Sequence, residues 1–374
     1  MIPKHVFEET LLAFLAPVRP FLEDRAVTEI MINGPSRVYI ERKGKIERTN
    51  VTFPSAEAVL CALRNAAQAA GKYVDDERPI LEARLPDGSR LEAVIPPIAA
   101  DGPFVSIRRF SKDTFSLGKL IELDSLTPLA AELLETLVRA KLNILIAGGT
   151  GSGKTSLLNL LAALVPEDER IIVIEDSREI EVQREHVLSM EARAADREDR
   201  GQVSIRDLFR ASLRMRPDRL VIGEIRGGEA LDIIQAMVSG HGGCLGTLHA
   251  TYPRDTLTRL ETMAMMSDVE MPLVPLRVQI ASGVNLVVQA ARMRDGTRKL
   301  THVTEVVGYD VATNKYVLED ILVRRYAGVD ANGSVQSSLV PTGVTPHFLP
   351  QLEAHGLRLP AELEAARERR RSLS

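Results

Sequence analysis

The residues Gly148-Gly149-Thr150-Gly151-Ser152-Gly153-Lys154-Thr155 follow the spacing G-x-x-x-x-G-K-[ST]. Glycines at those places let a backbone loop close around phosphate oxygens with its N–H groups as donors. Lys154 would reach the outer phosphates of a nucleoside triphosphate and Thr155 would offer its hydroxyl to Mg²⁺, with Ser156 next in the cradle. Hydrolysis also needs a carboxylate that orients water, a carboxylate near the metal, and cations for developing charge. Two acidic residues end apolar runs: Glu175 after Ile171-Ile172-Val173-Ile174, and Glu224 after Leu220-Val221-Ile222-Gly223. Glu224 takes the usual metal-side place, but the preceding position, commonly Asp, is Gly223. Glu175 is therefore the expected base and Glu224 the group that meets Mg²⁺ through water, although the pattern admits the exchanged assignment. Capping of the following helix is the plain alternative for either.

His249 ends a third apolar run and could hydrogen-bond the terminal phosphate, with His241, between glycines, a second candidate. The remaining histidines are read as structural. Arg90 and Arg108, with Arg84 and Arg109 nearby, are candidate charge stabilisers that spacing alone does not single out.

These groups need a scaffold that brings strand ends together. An apolar run at 143–147 precedes the loop, and helix formers follow it until Pro166. Strand and helix then alternate through 171–175, 207–215, 219–223, 229–238 and 244–248. Such alternation predicts a parallel sheet covered by helices, with ligands beyond the carboxyl ends of its strands. Upstream, residues 4–24 read as short helices and 28–32 with 37–41 as a hairpin, followed by a turn at Lys43-Gly44-Lys45. Ser55 caps a helix, and a second hairpin turns at Pro86-Asp87-Gly88 before a strand at 104–109. A linker with a short helix near Leu120 leads to a helix opened by Thr127-Pro128. Residues 285–323 read as hairpins turning at Gly296 and Asn314. The tail from Tyr326 is rich in Gly, Pro, Ser and Asn, and a charged helix starts at Ala361. Its Arg369-Arg370-Arg371 could meet a membrane surface or acidic partner, a frayed solvated end being the plainer reading.

The chain has 374 residues, 45% hydrophobic and 26% charged, as in a globular protein of two or three domains. A formal net charge of -4 supplies no global attraction to nucleic acid, and none is expected as a partner. The two cysteines, Cys61 and Cys244, exclude a disulfide framework and read as small hydrophobes in a reducing cytoplasm. No run reaches the length of a membrane span, and the first apolar run lacks a basic n-region.

Taken together, the loop, Ile174-Glu175-Asp176, Arg214-Met215-Arg216-Pro217-Asp218, Gly223-Glu224-Ile225-Arg226-Gly227 and the stretch Gly240-His241-Gly242-Gly243 through His249-Ala250 resemble the secretion-superfamily ATPases. These are the hexameric motors of type II and type IV secretion and of type IV pili. Leu85–Arg90, Val94–Pro97, Ser106–Phe110 and Gly343–Pro346 are similar to the CpaF/TadA motors of tight-adherence pili. The resemblance implies an α/β fold: a RecA-like P-loop ATPase core at 127–308, an α+β, PAS-like domain at 1–112, a linker at 113–126 and a β extension and tail at 309–374. It implies ATP and Mg²⁺, a homo-hexamer, and Arg90 and Arg108 reaching the phosphates from the first domain. The expected function is assembly of a type IV or tight-adherence pilus through an inner-membrane platform protein, with retraction also open. Export by a type IV secretion system is the alternative, and the expected location is cytoplasmic, peripheral to the inner membrane.

Overall fold

The computed structural model describes residues 4–42, 44–109, 116–195 and 200–372, the side chains of the first helix from residue 9. Lys43, Phe110 and residues 113–115, used above for a turn, a motif and a linker, lie outside the described residues. The chain divides into two compact units, Met1–Asp113 and Thr114–Ser374.

The first unit contains α1 (Lys4–Phe14), α2 (Arg19–Glu23), β1 (Val27–Asn33), β2 (Val38–Arg42), β3 (Lys45–Arg48), α3 (Ala56–Ala69), β4 (Ile80–Arg84), β5 (Arg90–Val94) and β6 (Phe104–Arg108). Ser55 caps α3 by accepting from the Ala58 N–H, as its type predicts. The strands form one antiparallel sheet in the order β3-β2-β1-β6-β5-β4. Alternation along them buries one face, with Ile30, Ile32, Leu81, Leu91 and Ile107 against Leu11 and α3 residues Val59 and Leu63.

The second unit runs through α4 (Leu117–Glu122), α5 (Pro128–Arg139), β7 (Ile144–Gly148), α6 (Lys154–Ala163), β8 (Ile171–Glu175), β9 (Val187–Glu191), α7 (Ile205–Ser212), β10 (Arg219–Ile222), α8 (Glu229–Val238), β11 (Leu245–Leu248), α9 (Pro253–Ala264) and α10 (Leu273–Gly283). It continues through β12 (Leu286–Arg292), β13 (Arg298–Asp310), β14 (Lys315–Val329), β15 (Val335–Pro341), α11 (Leu349–Ala354) and α12 (Ala361–Arg371). All strands join one sheet, β15-β14-β13-β12-β7-β11-β10-β8-β9, parallel from β12 to β9 and antiparallel from β12 to β15. Every residue of β7 and β8 is buried, because helices cover both faces. α5 and α6 pack on one face and α8, α9 and α10 on the other.

Several expectations change. The boundary expected at 308 falls inside β13, whose pairing with β14 continues past it to Asp310. Hydrogen bonding along the edge of the sheet thus carries the C-terminal strands into the same layer as the phosphate loop. The tail is not frayed: α12 buries Leu363 and Ala366 in the core, leaving its terminal arginines exposed. Sequence reading also missed β3, β9, α9, α10, β15 and α11. Turns at Gly296 and Asn314, both with positive φ, are where they were expected.

At the amino end of β10, Arg219 is fully buried and pairs with Glu169, which also meets Lys141 Nζ at 3.4 Å. Gly243 makes room for that guanidinium; with φ +80°, a Cβ there would overlap it. Gly243→Ala should therefore destabilise the protein by about 2–4 kcal/mol, summing left-handed strain and overpacking. Chemical denaturation measures this, and a midpoint equal to wild type would contradict the packing argument.

Candidate nucleotide-binding and catalytic site

The phosphate loop joins β7 to α6. Gly148 must lack a side chain because a Cβ would overlap the Ala290 carbonyl on β12 and the Ser152 hydroxyl. Gly151 and Gly153 take positive φ, +69° and +92°, which turns the backbone so that α6 starts without a side-chain cap. Its first N–H groups are left to an anion. Gly149 and Thr150 are exposed, Ser152 and Lys154 buried, Thr155 and Ser156 half-buried. The Gly149 carbonyl accepts from Ser152 Oγ at 2.8 Å and from Lys154 Nζ at 2.9 Å.

From Lys154 a connected series of polar groups crosses the carboxyl ends of the neighbouring strands. Lys154 Nζ lies 3.3 Å from His249 Nδ1, just past β11. His249 Nε2 is 3.1 Å from Glu224 Oε1, past β10. Arg226 donates to Glu224 Oε2 at 2.7 Å and to Asp176 Oδ2, past β8, at 3.1 Å. Burial and then the Lys154 charge hold His249 below the usual histidine range. At neutral pH it is uncharged, accepting from Lys154 at Nδ1 and donating to Glu224 from Nε2, so the Glu224 contact is a hydrogen bond rather than an ion pair. Burial alone would raise the Glu224 pKa, but the Arg226 hydrogen bond and the Arg226 and Lys154 charges offset it and the net shift is downward. Glu224 is ionised.

Glu175 behaves oppositely. It is 3% exposed, and Oε1 accepts the Glu179 and Ile180 N–H groups at 2.9 and 3.0 Å. Oε2 is buried without a hydrogen-bond partner among the described residues. Burial pushes its pKa up to about 7 despite those two bonds. It also fills the space beside Gly223, where a Cβ would come within 2.9 Å of Glu175 Cγ. The missing Asp and the extra Glu are therefore two sides of one packing fact. The two carboxylates hold well-separated pKa values within one row of strand ends.

His241 does not join this group. It precedes β11, at the amino end of a strand whose carboxyl end leads to His249, and its motif serves the turn around Arg219. Sequence reading missed Glu229, the first residue of α8. Its Oε1 accepts the Arg226 and Gly227 N–H groups at 2.7 and 2.9 Å and fixes the turn that presents Glu224 and Arg226. An acidic residue in a first helical turn was the available signal.

In the first unit, Arg84, Arg90 and Arg108 are register partners on adjacent strands β4, β5 and β6. Three like charges directly opposite one another disfavour the sheet, a cost expected where anions are bound. Arg90 meets Glu82 at 3.4 Å. Arg109 is different: its guanidinium is tied to the Asp24 and Val27 carbonyls and holds the unit together.

Because Lys154 leads the neighbouring cations that, after burial, depress His249, ahead of Arg226 and Arg259, Lys154→Ala should raise the His249 pKa relative to wild type. A histidine titration followed by NMR reads this directly; an unmoved midpoint would separate the two groups.

The geometry agrees with the chain's similarities. The family described as type II/IV secretion system protein matches residues 12–317. A putative conjugal transfer protein of Mycobacterium tuberculosis is 34% identical over 292 residues, covering 76% of this chain and 82% of that protein. The type IV secretion system protein VirB11 of Brucella suis is 32% identical over 334 residues, covering 80% of this chain and 90% of that one. The pilus retraction motor PilT, solved with bound ADP, shares the fold at a TM-score of 0.55 and 17% identity, covering 78% of this chain and 81% of that one. With a phosphate loop, two carboxylates and a histidine on one row of strand ends, the chain belongs to the type II/IV secretion system family and is an ATPase.

Proposed function

We propose that this ATPase powers export through a type IV secretion apparatus. The observation that carries the chemistry is the series Lys154–His249–Glu224–Arg226 beside a near-neutral, half-unsatisfied Glu175. The relatives named for conjugal transfer and type IV secretion support the export reading. Assembly or retraction of a pilus is the second reading, favoured by the likeness of Leu85–Arg90 and Gly343–Pro346 to tight-adherence pilus motors.

In this reading the open start of α6 and the loop N–H groups bind the triphosphate, and Lys154 leaves the Gly149 carbonyl for its outer oxygens. Thr155 and Glu224 are hard oxygen donors that fit Mg²⁺. Both Glu224 oxygens already accept bonds, so that contact fits the ion's water shell. When bound, Mg²⁺ neutralises phosphate charge. Glu175 takes the proton of the attacking water at Oε2, a role its pKa suits. His249, bonded to both Lys154 and Glu224, registers whether the terminal phosphate is present. Arg90 and Arg108 supply charge from the first unit, within a ring of six copies that works on an inner-membrane protein. Among the described residues no helix is long and apolar enough to cross a membrane.

A base must be deprotonated, so turnover should rise with pH through about 7, the Glu175 value, and then level off. Glu175→Gln should remove that limb and lower kcat by about 10²–10⁴-fold while ATP still binds. An unchanged profile would take the base role from Glu175.

Arg90→Ala and Arg108→Ala should each lower turnover at least about ten-fold. Partial recovery on mixing with Lys154→Ala protein would place the arginine across a subunit boundary. In cells, Lys154→Ala should abolish export and leave surface pili intact; loss of pili alone would favour the second reading.

A further inference from the structure

We propose that Arg298 is a positioning residue of the phosphate loop and the cation that meets the inner phosphates of the bound nucleotide. The inference rests on the nucleotide reading of the site. Strand β7 has different neighbours on its two sides. On the β11 side stand His249, Glu224 and Glu175, the groups suited to the terminal phosphate. On the β12 side stands the β12–β13 turn, flanked by Arg292 and Arg298.

That turn lies along the loop. Arg298 Nε donates to the Gly151 carbonyl at 3.0 Å, and its Cδ lies 3.4 Å from where a Gly153 side chain would start. Arg292 Nη1 comes within 3.5 Å of the equivalent point at Gly151. A loop that binds anions must turn its carbonyls outward, since a carbonyl facing in repels phosphate. Gly149 is held by Lys154 and Ser152, both from within the loop and α6. Gly151 is held from outside, by Arg298.

Arg298 also lines a cavity of about 230 Å³ with Ser152, Gly153, Ser156 and Leu157, and Leu123 and Leu300 line it too. Lys154, His249 and Glu224 do not line it. The cavity therefore opens on the flank of the loop away from the hydrolytic groups, the side to which a nucleotide with its terminal phosphate at those groups would turn its inner phosphates. Arg298 is exposed, and its guanidinium has more donors than the single Gly151 bond uses.

The turn is braced at both ends. Asp295 accepts from Val335 N on β15 at 2.8 Å, and Lys299 pairs with Asp124 at 2.6 Å. Leu300 N donates to the Ser125 carbonyl at 2.7 Å. Arg298 thereby ties the loop's conformation to the C-terminal strands and to the segment after α4.

The test compares wild type, Arg298→Ala and Arg298→Lys for ADP affinity by calorimetry, for kcat and KM with ATP, and for thermal unfolding without nucleotide. Inner phosphates are common to ADP and ATP, so Arg298→Ala should weaken ADP and raise KM for ATP alike, about ten-fold, with kcat within about two-fold. Lysine keeps the charge but not the planar Nε donor, so Arg298→Lys should recover only part of the loss. Equal ADP affinity in all three proteins overturns the proposal, as does a loss with ATP but not ADP. A fall in nucleotide-free stability large enough to account for the weaker binding also overturns it. Failure of wild type itself to bind ADP would instead overturn the nucleotide reading.

Discussion

A buried ammonium group sets the terms for this site. Lys154 is 7% exposed, and an isolated charge at that depth is costly unless nearby dipoles and hydrogen bonds replace its water. The Gly149 carbonyl and His249 supply that replacement. Much else follows. His249 must stay neutral to accept from the ammonium, which leaves its other nitrogen to donate to Glu224, and Glu224 then needs Arg226 to balance it. One charge on the loop is thus felt at the ends of three further strands, β11, β10 and β8. Triphosphate arriving at Lys154 would relax the first link, and each later link would feel the change.

The phosphate loop was legible in the sequence because its chemistry is local: glycines and a lysine at fixed spacing specify the turn wherever they occur. Glu175 and Glu224 were legible for a related reason, since apolar runs end where parallel strands end. The arginine row was named only as a set of candidates that spacing could not single out, with Arg90 and Arg108 chosen by resemblance. Arg84, Arg90 and Arg108 are separated along the chain, and only strand register sets them side by side. His241 misled because a histidine between glycines looks chemical, whereas Gly243 answers to Arg219 at the far end of the strand.

The fold shows the same divide. Helices opened by Ser55 and Thr127 were readable from their caps, whose side chains accept the expected N–H bonds. Helices α9 and α10 were hidden, as neither has a side-chain cap and α10 carries Pro275 in its first turn. Strand β15 sits in a stretch with the composition of a loop. It is a strand because the edge of β14 offers it a ladder of backbone partners, a tertiary fact with no local signature.

Gly223 has a consequence for how such sites diverge. The volume that a second acidic side chain would need just past β10 is already filled by Glu175. Restoring aspartate at 223 would crowd two carboxylates into one space rather than repair a defect. A lineage passing between the two arrangements would have to change both positions together, or cross an intermediate with no acid there. Residues 175 and 223 would then be inherited as a pair, though one ends β8 and the other follows β10.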